Sequence, residues 1–269
     1  MKSFLDTDNV YKVAINPVKI VKYLSVIVLL LLIFNIINIV VQYNMPENAW
    51  QARLLDKFFN FNGENNLPSF FSSLLLFFAS ILLYSIYAPT KLKFNRKGKK
   101  EWLVLGLIFS FLALDESVQI HEASSNLVRP LLKNDLDGLL HWAWVVPYFL
   151  FFLAVAAYLF KFVITLPAFT RNLFILSAFL FVGGAIGLEL FEGYFFKLYG
   201  LNHIYNQLLY CLEELMEMVG VTVFIYALLH YIYNYGVAML FIPGNVELRE
   251  PLQTQKAEEP VAEYSSEER

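Results

Sequence analysis

Val26-Ile27-Val28-Leu29-Leu30-Leu31-Leu32-Ile33-Phe34 forms the centre of an apolar run from about Ile20 to Tyr43. At ~1.5 Å per residue such a run crosses a ~30 Å hydrocarbon layer as a helix. It is longer than a signal-peptide core and ends without a small-residue cleavage pattern, so it predicts a retained transmembrane helix. Asn35 and Asn38 lie three apart on one face of it. They either bond a neighbouring helix or are tolerated near the membrane edge.

The rest of the chain repeats the pattern. With 269 residues, 58% hydrophobic and 17% aromatic, it is too apolar for a soluble domain of this length. Runs of about 20 residues exclude an outer-membrane barrel, whose strands read as ~10-residue alternating segments. The fold class is all-α, a polytopic membrane helical bundle. The expected spans are six, at about 20–43, 69–88, 102–122, 141–164, 172–196 and 213–235, within a transmembrane domain of residues 19–242. Residues 1–18 form a polar amino-terminal segment. Residues 44–68 keep Trp50, Leu54, Phe58 and Phe61 among polar neighbours, which suits an amphipathic outer loop. Asn66 or Ser69 caps the second span, with Pro68 in its first turn. Beyond Pro243-Gly244, residues 243–269 are an acidic tail expected to be disordered.

Lys91, Lys93, Arg96, Lys97, Lys99 and Lys100 crowd one short loop, which the positive-inside rule places in the cytoplasm. Six spans then put both termini on that side, and the expected location is a bacterial inner membrane. The basic residues are topological, so nucleic-acid binding is not expected. Cys211 is the single cysteine, which excludes an intrachain disulfide and cysteine-based redox or metal motifs.

Against this apolar background stand carboxylates near one end of three spans: Asp115, Glu116 and Glu122 with His121; Glu189 and Glu192; and Glu213, Glu214 and Glu217. At ~1.5 Å per residue, Asp115 lies roughly 20 Å from Trp102, and Glu189 and Glu217 about 26 Å from the opposite helix ends, so the depths match. Asp115, Gln119 and Glu122 share one side of the third span, whereas Glu116 and His121 diverge unless that helix loosens. Glu64, His141 and His203 are available from the same side. Ionisable groups in a membrane span are costly and usually face a bundle interior. Crowded carboxylates also need protons or positive charge. Arg129 and Lys133 can supply some of that charge. Divalent metal is the economical source, because carboxylates with an imidazole on facing helices are ligand chemistry for iron or manganese, and zinc with a second histidine. The expected ligands are Asp115, His121, Glu122, Glu189, Glu214 and Glu217. Glu116, Glu192 and Glu213 are the expected catalytic proton carriers. The soluble di-iron pattern Glu-x-x-His does not occur in the chain.

The combination Gly63-Glu64-x-Asn66-Leu67-Pro68, Asp115-Glu116-x-x-x-x-His121-Glu122, Glu189, and Glu213-Glu214-x-x-Glu217-x-x-Gly220 resembles a family of uncharacterised bacterial multi-pass membrane proteins. The likeness runs from the first outer loop to the sixth span and implies no activity.

These readings lead to a metal-dependent membrane enzyme, an oxidoreductase or hydrolase acting on a lipid or other apolar substrate, with iron, manganese or zinc and no organic cofactor. A cation- or proton-coupled transporter and an accessory subunit of a larger membrane complex are the alternatives. The expected partners are membrane lipids and either a membrane protein or further copies of the chain.

Overall fold

The computed structural model describes residues 16–46, 48–88, 99–132, 138–200 and 203–234. The tail, most of the amino-terminal segment, the basic loop from Lys91 to Lys97 and the side chain of Lys133 lie outside the described residues. Among the described residues everything regular is helical: α1 (Pro17–Asn44), α2 (Trp50–Phe59), α3 (Leu67–Tyr87), α4 (Lys99–Val118), α5 (Ile120–Val128), α6 (Val145–Thr165), α7 (Ala168–Val182), α8 (Glu189–Tyr199) and α9 (Ile204–Asn234). Five helical stretches are long and apolar enough to cross a membrane, and α4 with α5 would make a sixth.

That last pair differs from the sequence expectation. A straight third span was expected to run to Glu122. Instead Gln119 takes left-handed backbone angles (φ 59°), and the chain turns 83° between α4 and α5. The fifth span is continuous from Ala168 to Tyr199, but Gly183–Leu188 widens into a π-helical turn. The sixth begins at Ile204 rather than near Glu213, and the fourth begins at Val145 rather than His141.

Small residues and buried polar groups lock most of these helices together. Ser73 Oγ donates to the Ala113 carbonyl (2.8 Å), and the Tyr84 hydroxyl meets Ser110 Oγ (2.9 Å), tying α3 to α4. A methyl group on Gly184 would stand 2.9 Å from the Glu213 carbonyl oxygen, and one on Gly220 would stand 2.8 Å from Phe181 N. Only glycine lets α9 approach the α7 span this closely. Ser177 Oγ closes the same seam by donating to the Gly220 carbonyl (2.8 Å). Phe109 of α4 stacks on Phe224 of α9, with ring centres 4.5 Å apart.

Helix α6 is the exception. Its buried residues are Val145 at one end and Leu159 and Phe162 near the other. Between them, Tyr148 and Phe152 are half-buried against the Trp144, Val145 and Ile186 cluster and border a cavity on the inner side of the bundle.

Candidate functional site

The outer loop is built from its own side chains. Asn66 caps α3 in a reciprocal capping box with Ser69. Its Nδ2 donates back to the carbonyls of Asn60 (2.6 Å) and Gly63. From α1, buried Asn35 accepts the Phe61 amide (3.1 Å). The membrane-edge reading of Asn35 therefore gives way to an anchoring role. The loop held in this way carries Glu64 inward. Burial pushes the Glu64 carboxyl above its ordinary range, with the neighbouring His121 and a hydrogen bond from Gln119 working against that shift.

At the turn after α4, Asp115 (5% exposed) accepts the His121 amide on Oδ1 (2.7 Å). The same oxygen lies 3.3 Å from His121 Nδ1. The carboxylate thus caps α5 and orients the imidazole, a pairing familiar from ligand histidines. The bend answers the facing problem, because with α5 turned away from α4 both Glu116 and His121 reach the same space as Asp115 and Glu122. The His121 ring lies against Trp144, with centres 4.9 Å apart. Trp144 Nε1 donates to Glu189 Oε1 (3.1 Å), which links α5 to α8.

On the far wall, the π-helical turn before Glu189 and the glycine seam of α9 bring Glu189, Glu192 and Glu213 together. Single carboxylate oxygens from these three lie within 4.8 Å of one another, as do single ligand atoms of Glu64, His121 and Glu122. Both groups face one cavity of about 690 Å³, lined also by Asp115, Glu116, Glu214 and Glu217. Nine carboxyl groups therefore share one chamber. Three polar groups on its lining are buried without a hydrogen-bonding partner among the described residues: Glu192 Oε1 (residue 1% exposed), the Tyr210 hydroxyl (residue 4% exposed) and Trp142 Nε1.

The acids also sit deeper than helix ends. Glu213 is nine residues into α9 and Glu189 ten residues before the end of α8, each ~14–15 Å along its helix by the α-helical rise. A solvated amino-terminal position for Glu213 and Glu214 is thereby replaced by one inside the span.

The remaining candidates sort by location. Glu192 and Glu213, expected as proton carriers, group with Glu189, whereas the expected ligands Glu214 and Glu217 line the cavity outside both groups of three. His141 packs on Phe196 and Trp142, and His203 stacks on Tyr199. Neither is on the cavity wall, so the two-histidine zinc arrangement is not assembled. His230 packs on Phe169 at the opposite end of α9. Arg129 reaches the cavity rim and donates to the His141 carbonyl (2.6 Å).

Below the acids the walls are apolar, including Leu105, Phe109, Phe152, Val155, Leu159 and Val221. At the far end Trp102 (2% exposed) packs edge-on against Phe162 and Phe174, with centres 5.0 and 6.0 Å apart, and Tyr231 lies 5.1 Å away.

Residues 23–232 match the family model described as Domain of unknown function (DUF8692), and the chain belongs to that family. No curated protein matches the chain. No solved structure matches it either. The protein is thus a membrane-type helical bundle with two acidic groups suited to holding a metal ion.

Proposed function

We propose that the protein is a metal-dependent enzyme of the membrane, acting on a lipid or other apolar substrate. The observation that carries this reading is the pair of three-residue ligand groups facing a chamber whose other walls are hydrocarbon-like. Glu64, His121 and Glu122 would hold one ion, and Glu189, Glu192 and Glu213 a second or a shared one. Oxygen-rich sets with one imidazole suit iron or manganese, and zinc with less imidazole than it commonly takes. Such an ion supplies Lewis acidity, making water a nucleophile near neutral pH or activating dioxygen.

The chain's own groups do the remaining work. Asp115 holds the His121 ring through Nδ1 and leaves Nε2 for coordination. Trp144 fixes Glu189. Glu116, Glu214 and Glu217, at the border between acids and apolar wall, are placed to carry protons. The aromatic closure around Trp102 favours a site over a transport path, because a path needs polar groups to continue through it. We take the acidic end to face away from the cytoplasm of a bacterial inner membrane, following the basic loop.

Elemental mass spectrometry of the full chain, purified without chelator, tests the reading. About one or two equivalents of a transition metal are expected, falling at least severalfold in Glu189→Gln and Glu64→Gln. A metal-free wild type would overturn it and leave partner binding or proton-linked transport.

A further inference from the structure

We infer that the substrate is an amphiphile with a cationic or uncharged head, taken sideways from the lipid with its tail in the apolar chamber and its head among the acids. The inference rests on the proposed site and names what that site accepts.

Depth sets the length of the tail. From Asp115 to Leu105 the cavity wall follows α4 for ten residues, or ~15 Å of helix. An extended chain advances ~3.5 Å for every three bonds, so roughly a dozen methylenes fit this depth. The floor is closed by Phe174 backed by Trp102. A tail can therefore enter but not pass through.

Access is lateral. The apolar part of the lining is exposed at Phe151 (47%) and Phe160 (63%) on α6 and at Ile175 (56%) on α7, while the polar end is exposed at Glu122 and Arg129. The chamber is open to lipid beside α6, the helix that is held only near its ends. Lining residues of α9 such as Val221 and Phe224 are buried.

Charge selects the head. Nine carboxyl groups surround the head position, against His121 and Arg129 as the basic groups among the described lining residues. Even two divalent ions leave an excess of acid. The carboxyl groups left over hold protons or stay charged, and a carboxylate or phosphate head would crowd further acid onto them, whereas an amine or hydroxyl finds acceptors. Buried Tyr210 adds a hydroxyl with no hydrogen-bonding partner among the described residues, placed to bond a polar head.

The test uses the full chain in phosphatidylcholine vesicles and three photoactivatable probes that share one mid-chain diazirine tail, bearing an amine, a hydroxyl or a carboxylate. Adducts are mapped by peptide mass spectrometry. The amine and hydroxyl probes should label Phe109, Phe152 or Phe224, and the carboxylate probe at least about tenfold less, as like-charge exclusion requires. Val155→Trp should remove chamber labelling while metal content and helicity stay at wild-type levels. Equal labelling by the carboxylate probe, or adducts confined to residues any lipid touches, such as Phe149 and Leu153, would overturn the inference. Metal present without chamber labelling sinks this inference alone. Head-selective labelling without metal supports it and sinks the enzymatic reading.

Discussion

Helices α9 and α6 both wall the cavity, and they could hardly be mounted more differently. In the apolar stretch of α9, 56% of residues are buried, against 11% in that of α6. Helix α9 carries Glu213, Glu214 and Glu217 and is clamped by glycine contacts. Helix α6 contributes no acid to the cavity and presents apolar and aromatic side chains. Groups that must hold fixed distances sit on rigid elements, while the wall beside them is left loose enough for traffic. On the proposed reading, metal-site geometry and substrate access would fall to separate helices.

The largest effect should come from truncating the rigid wall. Phe224 is 4% exposed and packs on both Phe109 and Phe174, so Phe224→Ala should cost about 3–5 kcal/mol. Phe152→Ala on α6 should cost less, about 1–2 kcal/mol, since that ring is only half-buried against the Trp144, Val145 and Ile186 cluster. Reversible unfolding in mixed micelles compares the two, and equal losses would break the distinction between the walls. Next comes Gly184→Leu, which forces α9 away from the π-helical turn and should cost about 1–3 kcal/mol through overpacking. Because that contact also sets Glu213, metal content should fall with stability. A destabilised variant that keeps its metal would separate the seam from the site.

How much of this was legible in the sequence follows from which physics each feature obeys. Run length and hydropathy locate the spans, and carboxylates in apolar runs announce themselves by their cost. Depth and facing at 100° per residue were enough to bring Asp115, Glu189 and Glu217 to one level. The bend at Gln119 was not legible, because a left-handed glutamine has no sequence signature. It decides where His121 and Glu122 point. The start of α9 at Ile204 was hidden behind polar Asn206 and Gln207, so the Glu213 group read as a helix end. Glu64 joins the ligand groups through Asn66 and Asn35, whose bonds span 6 and 26 residues to Asn60 and Phe61. Only a folded chain displays those. Its clue was a capping asparagine two residues after an acid.

A smaller effect, with an informative sign, belongs to Glu192. Its Oε1 is buried without a donor, and Glu189 and Glu213 crowd it with further acceptors. In metal-stripped protein Glu192→Gln should stabilise by on the order of 1 kcal/mol, since the amide donates to those neighbours and relieves an unsatisfied buried group. In metal-loaded protein the same change removes a ligand and should destabilise. Thermal unfolding with and without chelator reads both signs. Stabilisation under both conditions would remove Glu192 from the ligand set.

The smallest effect concerns the hinge between the two kinds of wall. Gln119 holds left-handed angles that cost a non-glycine residue free energy, and glycine adopts them without strain. The gain is offset by the larger entropy glycine loses on folding and by the lost Gln119 hydrogen bond to Glu64, so Gln119→Gly should change stability by about 0.5 kcal/mol or less. Asp115 still accepts the His121 amide in that variant, because the bond belongs to the backbone of α5. His121 and Glu122 should therefore stay in place, and any fall in metal content would report the lost Gln119 bond to Glu64. Gln119→Pro removes the amide that donates to the Asp115 carbonyl (2.7 Å) and cannot take a positive φ. It should unseat α5, with His121 and Glu122 leaving the cavity together. If the proline variant keeps its full metal complement, the ions are held by Glu189, Glu192 and Glu213 alone, and the bend serves access rather than coordination.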